Sequence, residues 1–108
     1  MQSIPTINVD DVSHLKEAIL VDVRGPDEYV GELGHIEGSL LVTLGPELEH
    51  FLLTAKKESK LVFICRSGAR SERATSMALS LGFKNSYNME GGMIAWNSKG
   101  LSVSKEQE

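Results

Sequence analysis

The sequence predicts an α/β domain on a mainly parallel sheet, and three observations carry that prediction. The runs Ile19-Leu20-Val21-Asp22-Val23, Leu40-Leu41-Val42 and Leu61-Val62-Phe63-Ile64 read as strands buried on both faces. Stretches with helical spacing alternate with them, the signature of parallel strands joined by helices. The 108 residues fit one domain (1–108) with one modest core.

Taken in order, Ile7-Asn8-Val9 is a weak strand. Behind the acidic pair Asp10-Asp11, the residues Val12, Leu15, Lys16 and Ile19 trace one helical face. Gly45-Pro46-Glu47 opens a helix with proline in its first turn, and Leu48, Phe51, Leu52 and Ala55 form its inner stripe. A helix from about Ser71 presents Ala74, Met77, Ala78 and Leu81 and closes at Gly82. Ser86-Tyr87-Asn88-Met89 is a second weak strand, Trp96 with Met93 and Ile94 reads as a short helix packed on the sheet, and residues 102–108 read as a frayed tail.

Composition excludes several function classes. The net charge is −4, with no basic tail, which points away from nucleic acid. No apolar stretch approaches the ~20 residues of a membrane span. The N-terminus has neither the basic segment nor the apolar core of a signal peptide, so a cytoplasmic location is expected. One cysteine makes no internal disulfide and three scattered histidines make no zinc site. No metal or other cofactor is expected.

The single cysteine stands at the carboxyl end of the strand Leu61-Val62-Phe63-Ile64, where open α/β sheets bind ligands. It opens the loop Cys65-Arg66-Ser67-Gly68-Ala69-Arg70-Ser71, which runs into a helix N-terminus. Two arginines, a glycine that permits a tight turn and the positive end of a helix are the conditions that make a thiolate at neutral pH. A thiolate in such an anion-binding loop suits two chemistries. One is attack on a phosphate or arsenate, and the other is attack on the outer sulfur of an anionic sulfur donor.

The loop resembles the active-site loop of rhodanese-like sulfurtransferases. The stretch Leu20-Val21-Asp22-Val23-Arg24-Gly25-Pro26-Asp27-Glu28-Tyr29, with Gly34-His35-Ile36-Glu37-Gly38-Ser39, is similar to that family's N-terminal signature. Gly91-Gly92-Met93-Ile94-Ala95-Trp96-Asn97, with Gly100-Leu101, resembles its C-terminal one. The three motifs together cover nearly the whole chain. The resemblance implies a single-domain member with the rhodanese-like fold, a five-stranded, mostly parallel sheet with helices on both faces. Related phosphatases and arsenate reductases have five residues between cysteine and closing arginine, whereas four separate Cys65 from Arg70. One residue is roughly 3.5 Å of chain, so the shorter ring suits one sulfur atom better than a tetrahedral oxyanion.

The expected reaction moves a sulfane sulfur from a small donor such as thiosulfate, through a persulfide on Cys65, to cyanide or a thiol. The alternatives are a carrier that delivers the persulfide to a protein acceptor and, less favoured, a phosphatase or arsenate reductase. Cys65 is the expected nucleophile, and Arg66, Ser67, Gly68, Ala69 and Arg70 the substrate-binding loop. Arg66 is placed at the mouth, and Arg70 is expected to hold the loop backbone or an acidic side chain. Ser71 either donates to the thiolate or caps the helix. Asp22 is costly to bury without a partner, and Arg24 and Glu28 are close enough in sequence to pair with it or with each other. The resemblance implies that the aspartate–arginine set supports the fold near the active loop, and all three are read as scaffold. His35 is read as a structural hydrogen-bonding group.

Overall fold

The computed structural model describes residues 3–106. Five strands, β1 (Thr6–Ile7), β2 (Ile19–Asp22), β3 (Leu40–Leu41), β4 (Leu61–Ile64) and β5 (Ser86–Met89), form one sheet in the order β1-β5-β4-β2-β3. Every neighbouring pair is parallel, so the sheet goes beyond the mainly parallel expectation. An isolated antiparallel bridge joins His35 to Ser104 outside these strands.

Alternation along β4 divides the core into two layers. Leu61, Phe63 and Cys65 face one side with Val21 and Val23, against Leu48 and Leu52 of α3 (Pro46–Thr54) and Ala74 and Ala78 of α4 (Ala69–Ser80). Val62 and Ile64 face the other side with Met89, against Val9 and Val12 of α1 (Val9–Ser13) and Met93 and Trp96 of α5 (Gly92–Ser98). Helices therefore cover both faces, which is why the central strands read as continuous apolar runs.

Several boundaries depart from the sequence reading. The helical face through Leu15, Lys16 and Ile19 is not formed. The Ser13 hydroxyl and the His14 ring both bond back to the Asp10 carbonyl, α1 ends at Ser13, and Ile19 lies in β2 on the opposite core layer. The first strand stops at Ile7, because the Asn8 side chain accepts the Asp11 N–H at 2.8 Å and caps α1. A four-residue helix, α2 (Pro26–Tyr29), follows β2 where none was predicted. Leu81 is the C-cap of α4 and 39% exposed, so it does not belong to the inner stripe. Helix α4 starts at Ala69, two residues earlier than expected, because Gly68 takes φ +117° and turns the chain at once.

The tail is held where fraying was expected. His35 and Ser104 exchange backbone bonds at 2.8 Å, and the Trp96 indole donates to the Ser102 carbonyl at 2.9 Å. Residues 107–108 lie outside the described residues. Among those described, no helix is long and apolar enough to cross a membrane.

The topology selects the place for a site. From β2 the chain moves outward to β3, and from β4 it moves the opposite way to β5. The carboxyl ends of β2 and β4 are level, with Asp22 opposite Ile64, and a crevice opens where their connections part. Val23 and Arg24 leave one side of that crevice, and Cys65 leaves the other.

Candidate active site

Cys65 is buried at the start of its own loop, 1% exposed as a residue. Its sulfur accepts the Gly68 N–H at 3.0 Å and the Ser71 N–H at 3.3 Å. Gly68 is the N-cap of α4 and has no side chain to cap it, so the sulfur occupies the place of the missing capping oxygen. The Ser71 hydroxyl lies 3.3 Å from the same sulfur. Burial raises the thiol pKa. The Ser71 hydroxyl and the N–H groups of Ser71, Gly68 and Ser67 more than offset it, and the net shift is downward from the ordinary value of 9.0.

Arg70 turns away from the sulfur and across to α2. Its guanidinium grips the Glu28 carboxylate at 2.7 and 2.8 Å, a bidentate pair spanning 42 residues of sequence. The bound guanidinium holds Glu28 down at about 2; burial opposes it, and a further N–H from Gly25 adds to the lowering. Glu28 accordingly raises the Arg70 pKa. Of the two partners expected for Arg70, the acidic side chain is the one found. Glu28 keeps a scaffold role but pairs with neither Asp22 nor Arg24: it locks the cysteine loop to α2.

Asp22 and Arg24 form their own pair, 0% and 1% exposed. The guanidinium meets both carboxylate oxygens at 2.9 and 2.8 Å and also donates to the Gly34 carbonyl at 2.7 Å. The pair ties the end of β2 to the segment carrying His35. The His35 ring is buried, stacked on Tyr29 at 3.6 Å, with Nδ1 2.7 Å from the Tyr29 carbonyl oxygen.

Arg66, Ser67 and Ala69 are the exposed residues of the loop. Arg66 lines a cavity of about 110 Å³ together with Arg24, Glu28, Glu32 and Leu33. The loop thus gathers Cys65, Arg66, Ser67, Gly68, Ala69, Arg70 and Ser71 at the end of β4, with Asp22 and Arg24 one strand away. Among the described residues no cluster of histidine, cysteine or carboxylate side chains is suited to hold a metal.

Two residues of the site were not singled out by the sequence reading. Asn88 of β5 is 2% exposed and its side-chain oxygen is in hydrogen-bond contact with the Ser71 hydroxyl. An amide in the middle of a buried strand was the available signal. Gly92 lies against the backbone of the cysteine loop, where a Cβ would stand 2.5 Å from the carbonyl oxygens of Cys65 and Arg66. The Gly-Gly pair was legible, but its partner was not.

Residues 8–99 match the family described as Rhodanese-like domain. The chain belongs to the rhodanese-like family. This rhodanese-like chain is 30% identical over 81 residues to the thiosulfate sulfurtransferase GlpE of Pseudoalteromonas translucida, covering 75% of this chain and 74% of that one. It is 34% identical over 93 residues to the tRNA uridine(34) hydroxylase of Buchnera aphidicola, covering 82% of this chain and 28% of that enzyme. The chain therefore spans little more than a quarter of the hydroxylase's length. The structure of the human single-domain sulfurtransferase TSTD1 superposes with a TM-score of 0.79 at 31% identity, covering 90% of this chain and 98% of that one. These relatives support a sulfurtransferase family and an α/β rhodanese-like fold.

Proposed function

We propose that this domain transfers a sulfane sulfur from an anionic donor such as thiosulfate to cyanide or a thiol, through a persulfide on Cys65. The observation that carries this reading is the sulfur itself, which accepts two backbone N–H groups at a helix N-terminus and has a depressed pKa. The thiolate attacks the outer sulfur of thiosulfate. A sulfur–sulfur bond forms at Sγ, the bond inside thiosulfate breaks, and sulfite departs with the electron pair. Cyanide or a thiolate then attacks the outer sulfur and returns Cys65 as thiolate. The lowered thiol pKa eases ionisation of the nucleophile, so no residue is assigned the part of a general base.

The loop residues divide the remaining work. Arg66 and Ser67, both exposed, meet the anionic donor, and the N–H groups of Gly68 and Ser71 stabilise the sulfur anion. Arg70 and Ser71 hold the ring closed, and Asp22 with Arg24 supports it from β2. The four-residue spacing between Cys65 and Arg70 favours one sulfur atom over a phosphoryl group. An unpaired reactive thiol suits a reducing compartment, in line with a cytoplasmic location. The same persulfide would serve a carrier that hands sulfur to a protein acceptor, and turnover with small-molecule donors separates the two.

The deciding measurement is intact mass after incubation with thiosulfate. A gain of one sulfur atom, removed by cyanide and absent from Cys65→Ser, is expected. Hydrolysis of p-nitrophenyl phosphate without any persulfide from any donor would overturn the reading.

A further inference from the structure

The Ser71 hydroxyl has one proton and too many acceptors. It stands 3.3 Å from the Cys65 sulfur, 3.1 Å from the Gly68 carbonyl oxygen, and in hydrogen-bond contact with the Asn88 side-chain oxygen. A hydroxyl donates once and accepts through two lone pairs, so only one of these groups receives the proton at a time. Both side chains are buried, Ser71 at 0% and Asn88 at 2% exposure, so solvent does not arbitrate among them.

Asn88 is held firmly enough to decide. Its backbone lies in the ladder between β1 and β4, opposite Thr6 on one side and Phe63 on the other. Its N–H donates to the Pro5 carbonyl at 2.8 Å. The side chain shares the face of Phe63 and points to α4, where Ser71 waits in the first turn. What the ladder leaves free is the side-chain amide torsion, and a half turn exchanges an acceptor for a donor.

We propose that Asn88 is a positioning residue for the chemistry at Cys65: its buried amide directs the single Ser71 proton either toward the sulfur or away from it. With the amide oxygen facing Ser71, as it does here, the hydroxyl proton goes to Asn88 and the sulfur keeps its backbone donors; the hydroxyl lowers the thiol pKa when its proton turns to the sulfur. With the amide NH2 facing Ser71, the amide donates to Oγ and the hydroxyl proton is released to the sulfur. The first arrangement matches a neutral thiol, and the second matches a thiolate or persulfide anion. The amide therefore turns with the charge on the sulfur. The charged groups nearby are the Arg70–Glu28 pair from α4 and α2, the Arg24–Asp22 pair from β2, and exposed Arg66. Among the described residues none of them hydrogen-bonds to Ser71.

This inference rests on the reading of Cys65 as a working thiolate, and its test needs no sulfur donor. In the wild-type protein, the side-chain NH2 resonances of Asn88, assigned by triple-resonance NMR, are followed through the thiol titration. They are expected to move with the same midpoint as the pH dependence of iodoacetamide alkylation. Asn88→Leu, similar in size but unable to hydrogen-bond, removes the amide donor to Ser71 that is present only in the thiolate arrangement, and is expected to raise the alkylation midpoint by about one pH unit. In a Ser71→Ala background the same substitution is expected to leave the midpoint unchanged, since Asn88 acts through Ser71. An equal shift in both backgrounds would mean a structural role only and overturn the proposal. So would Asn88 resonances that ignore the titration, a measurement that stands even where the variants fail to fold. A depressed wild-type midpoint with no Asn88 response overturns this inference alone, whereas failure to form any persulfide overturns the sulfur-transfer reading alone.

Discussion

Replacing Gly92 by alanine measures how strongly the start of α5 holds the cysteine loop. Gly92 has φ +60°, and a Cβ there would lie 2.5 Å from the carbonyl oxygens of Cys65 and Arg66 and 2.6 Å from the Arg66 carbonyl carbon. Those oxygens accept the Met93 N–H at 2.9 Å and the Ile94 N–H at 3.0 Å, so the loop is fastened where the clash would fall. Ordinary contact begins at 3.4 Å, which requires the loop or the helix to retreat by about 0.9 Å. A left-handed conformation costs an alanine roughly 1–2 kcal/mol, and each weakened hydrogen bond roughly 0.5–1.5 kcal/mol. The expected loss is therefore about 2–5 kcal/mol. Gly100→Ala is the control. Its φ is +72° with nothing within 4 Å, so it bears only the conformational cost of about 1–2 kcal/mol. Urea unfolding followed by circular dichroism compares the two. The thiosulfate:cyanide rate of Gly92→Ala is expected to fall further than its folded fraction explains, because the displaced segment carries Cys65. A Gly92→Ala protein as stable as Gly100→Ala and fully active would show that α5 does not hold the cysteine loop.

Three further outcomes are expected. The pH dependence of iodoacetamide alkylation should give Cys65 a midpoint below 9.0, and a midpoint at or above that value would remove the anion-cradle argument. Glu28 is depressed from 4.5 to about 2, so its contribution to stability is complete above pH 4.5 and is lost as pH falls through that window. Wild type should thus lose stability between pH 4.5 and 2 more steeply than Glu28→Gln in acid-dependent urea melts, and parallel curves would contradict the pairing with Arg70. Asp22→Ala leaves Arg24 charged and buried, at a cost of roughly 3–5 kcal/mol, whereas Arg66→Ala removes an exposed charge at roughly 0–1 kcal/mol. Arg66→Ala should instead raise the KM for thiosulfate, and equal urea midpoints for the two variants would exclude Asp22 from the scaffold.

Several features of this protein are encoded in local chemistry along short stretches of chain. The apolar runs identified β2, β3 and β4, because a strand covered on both faces can afford few polar residues. The proline after Gly45 marked the start of α3. The lone cysteine before Arg66-Ser67-Gly68 marked the loop, since only a few residue types make a tight turn lined with donors. Spacing along the chain also set the size of the ring between Cys65 and Arg70. Tertiary structure decided the partners. Glu28 is four residues from Arg24, and nothing along the chain says that it bonds Arg70, 42 residues away, while Arg24 takes Asp22. Asn88 reads as an ordinary residue of a weak strand until β5 is laid beside β4 and its amide arrives at Ser71. Gly92 is only one glycine of a motif until α5 is packed against the Cys65 and Arg66 carbonyls. The C-terminal segment read as frayed because a chain end is poorly ordered unless something ties it down. It is ordered by His35 and Trp96, whose hydrogen-bonding groups meet it only after the chain has folded back. Side-chain hydrogen bonds and close backbone contacts depend on distances of a few ångströms between segments far apart in sequence, and those distances exist only once the sheet order is set.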